Sequence, residues 1–227
     1  SMKKKVVLKS SILAVAAGLS VFAINSVFAD ELPVQFMGVN DFHGALEQTG
    51  TARLEGETVK NAGTAPLLAT YLNDSQKDFE TENAGTPNAS IRVQAGDMVG
   101  ASPANSALLQ DEPTVKVFNE MNFEYGTLGN HEFDEGLGEF NRIMKGEAPT
   151  PGQFNKIVDE YPHEASKQEV VIANLVDKDT NKIPFDWKPY TIKEIPVNDK
   201  TVKVGFIGVV TTEFPNLVLR KNHEQYR

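Results

Sequence analysis

Three short stretches of this chain gather side chains that could do chemistry together: "NDFHG" at 40–44, "AGDMVG" at 95–100 and "GNHEFD" at 129–134. Asp41 and His43 stand two residues apart, and in extended chain such residues point to the same side. One carboxylate and one imidazole can then reach a single cation. Imidazole mixed with carboxylates suits zinc, manganese or iron better than calcium or magnesium alone. Asp97 follows Gly96, where a carboxylate can bridge two metals and the glycine lets backbone come close. Asn130 offers a carbonyl oxygen, a ligand that adds no charge. His131 is left free to act on a substrate, and Asp134, three residues on, can accept its Nδ1–H and fix the tautomer. Each piece also has an ordinary explanation. Asp and His are common at strand ends, Gly-Asp and Gly-Asn are turn dipeptides, and acids near 130–134 suit the first turn of a helix.

Each stretch comes at the end of a β-rich run. Residues 32–40, 91–97 and 123–128 read as strands, and in open α/β sheets ligands bind beyond the carboxyl ends of the strands. All three clusters are therefore expected on one rim. Between the strands, 64–79 has helical spacing at Leu67, Leu68, Tyr71, Leu72 and Phe79, with Thr64 as cap and Pro66 in the first turn. Short helices are expected over 113–121 and 137–144. Residues 168–175 read as a further strand. "KPYTIKEI" and "KTVKVGFIGVV" read as a hairpin turning at Asn198-Asp199. The Gly- and Thr-rich segment 44–63 is expected to be loop. Residues 145–167, with Pro149, Pro151, Gly152 and Pro162, read as a surface excursion with one short helix. No element in the closing "LRKNHEQYR" obviously closes a fold. Strands alternating with helices indicate an α/β domain.

Lys3, Lys4, Lys5 and Lys9 are the only charged residues among the first 29. Without them, 18 of the 22 basic side chains remain against 31 acidic ones, a net charge of −13. That balance argues against nonspecific binding to a nucleic-acid polymer, which needs basic patches. A small phosphorylated substrate stays possible if metal ions supply the positive charge. The start has the three parts of a signal peptide: basic Lys3–Lys5, apolar 12–24, and Val27-Phe28-Ala29 as cleavage site. A leader over 1–29 is expected, with Ser1 a cloning remnant and the mature chain beginning at Asp30, secreted or at the cell surface and without a transmembrane helix. There is no cysteine, which excludes thiolate metal sites and cysteine nucleophiles.

The three stretches in this order resemble the calcineurin-like metallophosphoesterases, and in particular the secreted bacterial 5′-nucleotidase and 2′,3′-cyclic-nucleotide 2′-phosphodiesterase family. "IANL" at 172–175 and the hairpin sequence follow at the family's usual places, so the resemblance spans roughly residues 33–215. It implies an α/β/β/α sandwich carrying two divalent ions, zinc, manganese or similar, at its rim. Asp41 and His43 would hold the first ion, Asp97 both, and Asn130 the second. His131 and Asp134 would be the catalytic dyad, with Asn130 and His131 meeting the phosphate. Glu132 and Phe133 would be structural or cover the site. Hydroxide generated at the metals would attack phosphorus in a nucleotide ester.

The family adds later histidines. This chain has only His43, His131, His163 and His223, with His163 expected at the surface and His223 in a polar tail. The resemblance therefore implies the N-terminal part of a metallophosphoesterase domain over 30–227, with the fold incomplete at its C-terminus, no nucleoside-binding domain, and little activity on its own. Two other readings stay open. One is an exported protein that uses the fold to contact cell wall or a host surface, with 145–167 as a candidate face. The other is an esterase for sugar or lipid phosphates.

Overall fold

A computed structural model of the chain describes residues 31–227, so the leader expected over 1–29 lies outside the described residues. The first strand, β1 (Val34–Val39), sorts its side chains alternately onto two faces. Gln35 reaches the Ser75 hydroxyl at 3.1 Å on one face, while Phe36 points to the other.

A hairpin follows where loop was expected. β2 (Thr49–Leu54) and β3 (Glu57–Gly63) pair antiparallel around Glu55-Gly56, both at positive φ. Alternation gave no sign of it because nearly every residue of both strands is exposed, so there is no apolar face to read. The helix expected from 64 is α1 (Ala65–Glu82), with Thr64 capping the Leu67 amide and Pro66 in the first turn. It lies on the Gln35 face. Arg92, from β4 (Ala89–Gln94), reaches Asn73 and Gln76 of α1 at 2.9 Å each.

Beyond β4 come α2 (Ala104–Ala107), α3 (Glu112–Glu120) and the two-residue β5 (Tyr125–Gly126). Next are a 3-10 turn at His131–Phe133 and α4 (Leu137–Lys145). Then follow α5 (Lys156–Asp159) and β6 (Glu169–Val170). Strands β1, β4, β5 and β6 form one parallel sheet in that spatial order. Its polar rim is thereby assembled from consecutive strand ends, as the α/β reading requires. The expected hairpin is β7 (Tyr190–Val197) with β8 (Lys200–Ile207), in register about Asn198-Asp199. It covers the other face of the sheet. Phe206 stacks on Tyr125 with ring centroids 4.2 Å apart and meets Phe36 edge-on. Helix, parallel sheet and hairpin thus form successive layers. The core between them is led by Val115, Phe118, Phe123, Leu128, Phe133, Ile172 and Leu175.

Two further expectations change. His163 is not a surface residue. Its side chain is 13% exposed and its Nδ1 lies 2.8 Å from Glu112, which also pairs with Arg142 at 2.6 Å. A buried carboxylate needs such partners, and this one ties the 145–167 excursion to α3 and α4. The closing segment also docks. After α6 (Phe214–Leu217) and α7 (Arg220–His223), Arg227 and Val176 exchange two backbone hydrogen bonds of 2.9 Å, and buried Tyr226 meets Phe133 edge-on. No helix among the described residues is long and apolar enough to cross a membrane.

Candidate active site

Backbone pairing carries the first two stretches to the rim together. Asp41 donates to the Gly96 carbonyl at 3.1 Å, His43 to Asp97 at 3.0 Å and Gly44 to Met98 at 3.2 Å. The chain leaving β1 therefore runs alongside the chain leaving β4. Asp41, His43 and Asp97 have φ of 53°, 49° and 53°, a left-handed backbone that costs a side-chain-bearing residue about 1 kcal/mol or more. These hydrogen bonds hold the unfavourable conformation and aim the three side chains.

The third stretch is brought in by Glu132, which is 2% exposed. Its carboxylate accepts from Gly129 at 2.6 Å, Met98 at 2.7 Å, Asp97 at 3.0 Å and Val99 at 3.4 Å. One side chain thus gathers backbone N–H groups from two strand ends. Burial pushes this carboxyl up to about 7; the Gly129, Asp97 and Met98 amides pull the other way, and the Asp97 charge adds to the push. Contact between the two strand ends depends on glycine. A Cβ on Gly129 would stand 2.1 Å from Asp97 Oδ1. Asp97 Oδ1 in turn accepts from the His131 amide at 2.9 Å.

The imidazoles are oriented by their Nδ1 atoms. His43 Nδ1 is 2.8 Å from the Gly100 carbonyl, which can only accept, so Nδ1 carries the proton. The Nε2 lone pair then faces Asp41 Oδ1 at 3.8 Å and Asp97 Oδ2 at 4.0 Å. A histidine whose N–H is tied to a carbonyl while its other nitrogen faces carboxylates is arranged as metal ligands are. His131 Nδ1 is 2.8 Å from Asp134 Oδ2, leaving its Nε2 free. The two rings meet edge-to-face with centroids 4.6 Å apart. Burial works against a charge on His131. The Asp134 hydrogen bond and the negative charges of Asp134, Asp97 and Glu132 outweigh it and hold the imidazole above its ordinary value.

Ligand-capable atoms of His43, Asp97 and His131 all lie within 4.8 Å of one another, so the donor set fits a divalent cation. Asp41 joins this group through His43, its carboxylate largely exposed and taking a hydrogen bond from the Asn40 amide. Asn130 opens the 3-10 turn, but its side chain makes no capping bond, so turn chemistry does not use the amide. His163 and His223 stand apart from the group: His163 is on Glu112, and His223 packs edge-on to Phe214. The part played by Gly100 was not read from the sequence, although the residue stood inside the quoted "AGDMVG". The available signal was a glycine soon after a strand end; the structure gives it a φ of 86°.

The chain is 52% identical over 199 residues to a cell wall protein of Listeria monocytogenes, covering 87% of this chain and 24% of that protein. It is 36% identical over 192 residues to a protein of Bacillus subtilis named an endonuclease, covering 84% and 14%. A protein of Salmonella typhimurium named 2′,3′-cyclic-nucleotide 2′-phosphodiesterase/3′-nucleotidase is 32% identical over 133 residues, covering 53% and 17%. The chain thus spans a quarter or less of the length of these relatives. Among solved structures, NAD nucleotidase of Haemophilus influenzae superposes with a TM-score of 0.53 at 25% identity, covering 78% of this chain and 26% of that one. A calcineurin-like phosphoesterase of Bacillus subtilis shares the fold with a TM-score of 0.55 at 23% identity, covering 85% and 52%. No protein-family model matches the chain.

Proposed function

This chain belongs to the 5′-nucleotidase and 2′,3′-cyclic-nucleotide 2′-phosphodiesterase family of calcineurin-like metallophosphoesterases, matching its N-terminal part, and on that premise we propose that it serves a metal-dependent hydrolase of extracellular nucleotide esters. The observation that carries the reading is the pairing of two differently prepared imidazoles. His43 presents a lone pair between two carboxylates, while His131, 4.6 Å away, is held towards its protonated state by Asp134. One is suited to a cation and the other to an anionic phosphoryl group.

In this reading Asp41, His43, Asp97 and Asn130 are the residues that would hold the ions, Asp41 and His43 for one, Asn130 for the other and Asp97 shared. Ions bound there would supply the positive charge that an anionic ester requires and a water of lowered pKa. The remaining work falls to the chain's own groups. His131 donates from Nε2 to a phosphoryl oxygen or to the leaving oxygen, where charge develops. Asp134 fixes its tautomer and ring plane. The bond from the His131 amide to Asp97 sets the spacing between donor and ligands. With Asp97 and Asn130 alone for the second ion, the 227-residue chain by itself is expected to bind metal weakly and turn over little. The cell wall naming of the Listeria relative supports an exported, surface-associated protein.

The test measures manganese- or zinc-dependent phosphate release from 5′-AMP and 2′,3′-cyclic AMP by the full-length protein, with a polynucleotide as third substrate. Metal content is determined alongside by elemental analysis. His131→Ala should lower kcat by about 10²–10⁴ with metal content near wild type. Asp134→Asn should give a smaller loss of the same kind, and Asp97→Asn should lose metal and activity together. An emptied metal site in His131→Ala would make His131 a ligand. Absence of metal-dependent hydrolysis of all three substrates would end the nucleotide-ester reading.

A further inference from the structure

We propose that Asp111 is a positioning residue for the metal-facing imidazole of His43, acting by holding the Gly100 backbone in place; the inference rests on the metal reading above. Gly100 is engaged through both of its backbone groups. Its carbonyl accepts from His43 Nδ1 at 2.8 Å, and its N–H donates to Asp111 Oδ2 at 3.2 Å. That N–H and that carbonyl lie in successive peptide planes joined at one Cα, so a carboxylate that holds the first restrains the second. An acceptor held in place at Nδ1–H fixes the tautomer and ring orientation and keeps Nε2 turned towards a cation.

Three observations show that Asp111 is kept for this contact. It sits immediately before α3 in the capping position, yet its side chain makes no capping bond. Its other oxygen accepts from Ser106 Oγ at 2.7 Å, and Ser106 Oγ lies 2.8 Å from Thr114 Oγ1. Both hydroxyl residues are fully buried, so the carboxylate is clamped from behind. The backbone at Asp111 has φ 61° and follows Gln110 at 55°, a conformation in which glycine would be at ease and aspartate is not.

The same loop also reaches the second histidine. The Ala101 amide donates at 3.1 Å to Asp134 Oδ2, the oxygen that holds His131 Nδ1. A Cβ on Gly100 would stand 2.4 Å from the His131 carbonyl, so the loop is pressed against that turn. The peptide joining Gly100 to Ala101 therefore bears on both imidazoles, its carbonyl directly on His43 and its N–H on Asp134, and Asp111 anchors the peptide before it.

The experiment titrates manganese into the full-length protein and into its Asp111→Gly, Asp111→Asn and His43→Ala variants, with thermal unfolding in parallel. Exchange of the His43 Nδ1–H is followed by NMR in the metal-free proteins. Asp111→Gly relieves the backbone but leaves the Gly100 N–H and the Ser106 hydroxyl without their acceptor, so its Tm should fall by about 4–8 °C while the protein stays folded. Its manganese affinity should fall about 10–100-fold, the usual scale for losing a partner of a ligand. Its His43 Nδ1–H should exchange faster. Asp111→Asn can still accept from Gly100 with Oδ1 and donate to Ser106, and should stay within about threefold of wild type. Asp111→Gly binding as wild type does, while His43→Ala loses binding, would overturn the role of Asp111 and leave the metal reading intact. No binding by wild type, or binding that His43→Ala does not weaken, would overturn the metal reading and this proposal with it.

Discussion

Replacing Glu132 by Gln changes one atom at the point where the two strand ends are joined, and its cost can be worked from the four contacts. Gly129 and Asp97 donate to one carboxylate oxygen at 2.6 and 3.0 Å, Met98 and Val99 to the other at 2.7 and 3.4 Å. A glutamine must turn its NH2 towards one pair. The pair with less to lose is Met98 and Val99, since the Val99 contact is already long. One good buried donor is then orphaned, at about 1–3 kcal/mol. A second effect opposes this. Burial holds the Glu132 carboxyl at about 7, against an ordinary 4.5, so the charged form is disfavoured in the fold. That gap corresponds to about 3 kcal/mol of stability, present below pH 4.5 and lost as pH rises through 7. Glutamine does not titrate. At pH 5 the folded wild-type carboxyl is itself neutral, with an O–H among the same amides, so the variant should lie within about 1 kcal/mol of wild type; by pH 8 it should be the more stable of the two by about 2 kcal/mol, a rise in Tm of about 4–8 °C. Thermal unfolding of chelator-treated wild type and Glu132→Gln between pH 5 and 8 reads both quantities. A variant that falls further below wild type as pH rises, or a difference that does not change with pH, would refute the reasoning.

Arg142→Met should destabilise the chain by about 3–5 kcal/mol in urea unfolding, because Glu139 would stay buried without its cation and Glu112 with His163 alone. Gly129→Ala should abolish metal binding in a manganese titration, since its Cβ would overlap Asp97 Oδ1 and drive the carboxylate from its place; affinity equal to wild type would show that the strand ends separate easily.

By itself the sequence determined which polar residues follow the strands and in what order. Asp41, His43, Asp97, Asn130, His131 and Asp134 stand at consecutive strand ends, and the parallel sheet must bring such ends to one rim. The helix read over 64–79, which the structure carries on to Glu82, and the turn at Asn198-Asp199 were legible for the same reason: caps, turn residues and apolar spacing act over a few positions. The hairpin β2–β3 was not, because exposed strands leave no apolar alternation behind. What only the tertiary structure decided is the bonding that aims these side chains. Glu132 holds Asp97 across 35 residues, and Gly100 fixes the His43 tautomer across 57. Glu112 takes His163 out of the surface across 51. Contacts at such separations depend on how the chain folds back on itself. A buried carboxylate that gathers amides has the same local sequence as one that points to water, so no spacing or composition rule can tell them apart.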